Sequence, residues 1–199
     1  MEQKIIDQAI ALGPIIKARA RAGEINREVP EQTVVDFIES GILQIMIPEK
    51  YGGYQTGWDT LIEVLMELGR GDGSQAWVAA VYTVHALDIS MFMAKAQKEV
   101  WNSNCDPIVS SAVAPMGIGE RVRKGAVISG QWAFASGVRY AEWGILGVML
   151  PDQTTGEKTH HLCLVSKNQW KVRDTWEVMG LQGTGSHDII VQEIFIPEY

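Results

Sequence analysis

Residues 76–87, AWVAAVYTVHAL, narrow most sharply what this chain can become. His85 interrupts the run, and Asp88 closes it. Twelve residues are too few to cross a bilayer, which takes about 20. The surrounding pattern, residues 75–87, reads as a helix that is apolar nearly all the way round. Such a helix has no face for water and must lie inside a larger assembly. The rest of the chain must cover it. With 46% hydrophobic and 21% charged residues there is material for that core, which excludes a disordered chain. The net charge of −7 argues against nucleic acid as a partner, since that needs a basic face, and disfavours docking on anionic membranes. The first thirteen residues carry neither the apolar run nor the cleavage site of a secretory signal. Two cysteines, Cys105 and Cys163, make neither a disulfide framework nor a four-cysteine zinc site. They read as reduced thiols of a cytoplasmic protein.

The periodicity changes midway. Ile5, Ala9, Leu12 and Ile16 mark one face of a first helix, which Pro14 is expected to kink or restart. Pro30 opens a second helix, with Val34, Val35 and Ile38 on its apolar face. A third covers residues 59–68. The glycines at 69, 71 and 73 break it, and Ser74 is the expected N-cap of the apolar fourth. Residues 95–101 complete the helical half. Residues 108–113, 126–128, 144–150, 161–165 and 188–196 are then short β-prone runs separated by turn signals. Without βα alternation, the reading is α+β. An all-helical domain (1–105) precedes a small antiparallel β-barrel or sandwich domain (106–199), with a linker turn at 103–107.

Several familiar chemistries are excluded. Gly117-Ile118-Gly119 lacks the third glycine and the following helix of a dinucleotide fingerprint, and there is no P-loop or G-x-S-x-G elbow. His85, His160, His161 and His187 show no metal-ligand spacing, so no metal site is expected. Trp77 and His85, eight residues apart, lie about 80° apart around a helix. They either border one cavity or are a core histidine beside a core tryptophan. In SGQWAFASG, Trp132, Phe134 and Ser136 alternate and would share one strand face. Two rings and a hydroxyl suit a flat heteroaromatic ligand; core packing explains them equally well. In residues 176–189, WEVMGLQGTGSHDI, the glycines Gly180, Gly183 and Gly185 with Thr184 and Ser186 suit a phosphate or a polar ring edge, or simply a turn before the last strand.

Together these segments resemble the acyl-CoA dehydrogenase superfamily. VPEQTVVDFIESGILQIMIPEKYGG is similar to its helix followed by P-E-x-Y-G-G, and MGLQGTGSHDIIVQEIFIP to the segment closing its middle β domain. Where dehydrogenases carry T-E-P-x-x-G-S-D, this chain has VAPMGIGE. Pro115-x-Gly117, W-x-F-x-S-G and the Trp77/His85 pair instead resemble the branch of two-component flavin monooxygenases, such as the oxygenase of 4-hydroxyphenylacetate hydroxylase. That resemblance implies reduced FMN or FAD supplied by a flavin reductase, molecular oxygen, a small phenolic substrate and a homo-oligomer, in the family a tetramer. It implies Ser136 as the catalytic hydroxyl at flavin N5. Trp132, Phe134, Pro115, Gly117, Gly183, Thr184, Gly185 and Ser186 would contact the cofactor, and Trp77 and His85 the substrate. Superfamily members also carry a C-terminal four-helix domain, so a truncated chain is expected. An acyl-CoA dehydrogenase and an inactive interaction module are the competing readings.

Overall fold

The structure is a computed structural model that describes residues 2–102 and 106–199. Cys105, and with it part of the expected linker turn, lies outside the described residues. Five helices come first: α1 (Glu2–Asn26), α2 (Glu31–Glu39), α3 (Trp58–Gly71), α4 (Gly73–Ser90) and α5 (Ala94–Trp101). Six strands follow: β1 (Val109–Val122), β2 (Gly125–Ala135), β3 (Trp143–Pro151), β4 (Lys158–Ser166), β5 (Lys171–Arg173) and β6 (His187–Pro197). The α+β architecture and its order are those expected.

The periodic residues do what their spacing requires. Ile5, Ala9, Leu12 and Ile16 are buried along α1. Pro14 does not interrupt the helix, contrary to expectation. It and Ile10, whose carbonyl would have received its missing N–H, both lie on the exposed face. Water can serve the freed carbonyl there. The fourth helix starts one residue before the expected N-cap. Asp72, in extended conformation, caps it in place of Ser74, its Oδ1 accepting the Gln75 N–H at 2.8 Å. As its sequence demands, α4 is sheathed: Val78, Ala79, Tyr82, Thr83, Ala86 and Ile89 are all buried. One contiguous core joins the helices to the sheet, from Ile5 to Ile196.

The strands form one sheet in the order β4-β3-β1-β2-β6-β5. Four of its five pairings are antiparallel, but β1 and β3 run parallel, so the sheet is mixed where an antiparallel one was expected. Segment β1 is also longer than its apolar run. Its register with β3 jumps between Ala112 and Gly117, so residues 113–116, Pro115 among them, bulge out exposed. That bulge hid the strand's second half from a pattern-based reading. The three-residue edge strand β5 was too short to signal itself.

Candidate functional site

The run W-x-F-x-S does not lie along one face. Between Trp132 and Ala135 the pairing of β2 with β6 slips, and Phe134 sits at φ 68°. Trp132 is 0% exposed while Phe134 is 70% exposed, although two residues apart on a regular strand they would point the same way. Ser136 lies past the strand end, where its N–H closes a three-residue turn on the Phe134 carbonyl at 3.0 Å. The bulge corrects the expectation that two rings and a hydroxyl form one platform.

Trp132 is a core residue. Its Nε1 donates to the Gly147 carbonyl at 2.6 Å. Gly117 lies directly against its ring, where an added Cβ would come within 2.0 Å of an indole carbon. The expected cofactor contacts of Trp132 and Gly117 are thereby replaced by packing. Pro115 lies in the exposed bulge of β1.

Ser136 gathers the other motifs. The Trp77 indole Nε1–H donates to its Oγ at 3.1 Å, linking α4 to the end of β2. Its Oγ lies 2.8 Å from Ser186 Oγ, which in turn lies 2.7 Å from Thr184 Oγ1. Thr184 Oγ1 reaches the Leu181 carbonyl at 3.0 Å. Ser136, Thr184 and Ser186 are all buried, whereas Trp77 is 51% exposed. Two motifs nearly fifty residues apart in sequence thus share one chain of hydroxyls, ended by an indole.

The glycines seat that chain. Gly183 packs against Ser74 and Gly23, and Gly185, at φ 55°, against Arg27 and Glu28. Gly180, by contrast, has open space around it. Gly137, at φ 67°, donates its N–H to the Thr184 carbonyl at 2.9 Å and accepts the Tyr82 hydroxyl at 2.7 Å. Burial of Tyr82 pushes its phenol far above the ordinary range, so it is a fixed donor.

Other participants went unseen in the sequence. Trp176 meets the Phe134 ring edge-on, with centroids 5.9 Å apart, and donates its indole N–H to the Leu181 carbonyl. Ser110 Oγ holds the Ser136 carbonyl at 2.8 Å. Asp88 pairs with His85 Nδ1 at 2.8 Å, and their i,i+3 spacing was a usable signal. His85 is buried with Nε2 unpartnered, while Trp77 is half in solvent. Neither lines the cleft of about 490 Å³ that runs beside Asp88, Met91, Arg121, Cys163 and Tyr199. Cys163 in that cleft has its thiol pushed up to about 11 by burial. Among the described residues no cluster of three or more His, Cys, Asp or Glu could hold a metal, and no helix is long and apolar enough to cross a membrane.

A helical layer leads into a mixed sheet, and the Trp77 indole reaches from α4 to the hydroxyl chain at the end of β2. Residues 11–104 match the family model "Acyl-CoA dehydrogenase, N-terminal domain". Over its whole length it is similar to oxygenase components of two-component flavin-dependent monooxygenases. It is 32% identical over 190 residues to the flavin-dependent monooxygenase oxygenase subunit HsaA of Rhodococcus jostii, covering 95% of this chain and 49% of that protein. It is 31% identical over 196 residues to the oxygenase component of the FADH(2)-dependent resorcinol hydroxylase of a Rhizobium, covering 98% and 48%. The structure of XiaF from Streptomyces in complex with FADH2 and glycerol superposes with a TM-score of 0.92 at 27% identity, covering 99% of this chain and 50% of that one. The chain spans about half the length of the curated relatives it matches.

Proposed function

We propose that this chain is the flavin-facing portion of an aromatic hydroxylase that takes reduced FMN or FAD from a separate reductase. The reading rests on one observation: the Trp77 indole and the Ser186 hydroxyl converge on Ser136 next to the exposed Phe134 ring. A serine oxygen has one proton and two lone pairs. The structure fills two of those three places, leaving one for a ligand. Phe134, braced by Trp176, offers an exposed ring for stacking. A planar ring with an N–H or a bare nitrogen on its edge fits that combination. When bound, the flavin supplies the oxygen chemistry; the protein supplies position and dryness.

In this reading Ser136 holds the ring edge, Phe134 and Trp176 flank its plane, and Trp77 and the buried, Asp88-tethered His85 serve a phenolic substrate. Gly183 and Gly185 seat Thr184 and Ser186 against α1 and α4. Exposed Ile62, Met66, Met91 and Met93 support a homo-oligomer, as does the resemblance.

Anaerobic titration with reduced FMN and FAD, followed by fluorescence, tests the reading. Saturable binding is expected, weakened by Phe134→Ala and Ser136→Ala in a folded protein. Absence of binding up to millimolar flavin would overturn it. Reduction of bound flavin by acyl-CoA would establish the dehydrogenase reading instead.

A further inference from the structure

The proton directions along the hydroxyl chain carry an inference that rests on the flavin reading and goes beyond it. The Trp77 N–H can only donate, so Ser136 accepts at that contact. At the far end the Leu181 carbonyl can only accept, and Thr184 Oγ1 lies 3.0 Å from it. If Thr184 donates there, Ser186 must donate to Thr184 and Ser136 to Ser186. Ser136 then has an unused lone pair and no free proton, so it can only accept from a ligand. The Leu181 carbonyl, however, also receives the Thr184 N–H and the Trp176 indole N–H, each at 3.1 Å. The hydroxyl proton of Thr184 is therefore its third donor, and loosely held. Turned towards Ser186, that proton reverses the chain: Thr184 donates to Ser186, Ser186 to Ser136, and Ser136 donates outward. No heavy atom need move, and burial of all three hydroxyls keeps bulk water from scrambling the order.

We propose that Ser136, Ser186 and Thr184 form a reversible hydroxyl relay. Through it, Ser136 accepts from the ring N–H of a reduced flavin and donates to the bare nitrogen of the oxidised one. Ser186 and Thr184 are positioning residues. The variants have opposite effects on the two directions. Thr184→Val removes the acceptor for the Ser186 proton, which must then turn to Ser136. Ser136 is left as an outward donor, which suits oxidised flavin only. In Ser186→Ala the inward proton of Ser136 has no partner, which penalises the accepting direction more than the donating one. Thr184→Ser keeps the hydroxyl and the relay.

The test measures dissociation constants for reduced and oxidised FMN in the wild type and these three variants. It also measures the ¹H–¹⁵N resonance of the Trp77 indole without flavin, assigned with Trp77→Phe. Thr184→Val and Ser186→Ala should each shift the reduced-over-oxidised preference against the reduced form by about two- to tenfold, the worth of one net hydrogen bond. Both should also move the Trp77 resonance. Thr184→Ser should restore the preference and the resonance together. A preference and a resonance that ignore Thr184→Val would overturn the relay even in a protein that binds flavin well. Should no flavin bind, the flavin reading fails alone, and the indole resonance still decides whether Thr184 sets the direction of the chain.

Discussion

Gly117 shows how one missing Cβ can decide a role. The resemblance of Pro115-x-Gly117 to flavin monooxygenases implied cofactor contact. In the fold its α-carbon fits under the Trp132 indole, and any side chain would enter that ring. Gly117→Ala is therefore expected to destabilise the protein by about 1–3 kcal/mol, the usual cost of forcing atoms into a packed core. Urea unfolding followed by tryptophan fluorescence measures it. Flavin affinity per folded molecule should stay as in the wild type; a selective loss of affinity at unchanged stability would return Gly117 to the cofactor. Phe134 is the converse case. Its positive φ lifts a large ring out of the strand into solvent, an arrangement that is uncommon for a non-glycine residue and costs free energy.

Among the elements, α4 carries the most. Its apolar girth puts it inside the molecule, and so its few polar atoms act at fixed places: Trp77 on Ser136, Tyr82 on the Gly137 carbonyl, His85 on Asp88. Where the helix starts therefore matters for Trp77, about one turn on. The start is set by Asp72, which accepts the Gln75 N–H and lies at the N-terminus, where a carboxylate is favoured. Asp72→Ala should cost about 0.5–2 kcal/mol in chemical unfolding, and Asp72→Ser, which keeps a capping oxygen, should recover most of it. Equal losses in the two variants would show that the cap contributes nothing. The element at the other side of the site, the 3₁₀ turn Gln182–Thr184, is short and glycine-rich, and holds its shape by docking on α1 and α4.

Across the whole molecule, helices and sheet are joined by charge as well as by core. Arg27 at the end of α1 pairs with Asp174 and donates to the Trp176 carbonyl, while Arg139 bridges Glu28 and Asp174. His187 lies buried beside this network, its Nδ1 accepting the N–H groups of Thr175 and Trp176 at 3.3 Å. Burial, and then Arg139 and Arg27, hold it below the ordinary histidine value of 6.5, against the pull of Asp174 and Asp188. A depressed value means that the unfolded chain takes up more protons as the pH falls below 6.5. Stability is then fully present above that value and declines on acidification, down to the folded-state value. Urea midpoints should fall as the pH drops below 6.5, and His187→Asn should flatten the decline; an unchanged slope in that variant would place the titration elsewhere. Helical and β-prone halves, the buried face of α1 and the enclosed α4 were all legible, because periodicity and apolar girth are local properties set by burial. The motifs SGQWAFASG and GTGS stood out in the sequence, but that they meet, and the division of labour within them, did not. One bulge sent Trp132 inward and Phe134 outward, and it arises from the pairing of β2 with β6, a contact made more than fifty residues away in sequence. The partner of Ser136 on α4 and the parallel β1–β3 pair are likewise settled only when distant segments meet, since a sequence states what each segment can bury but not which neighbour it will find.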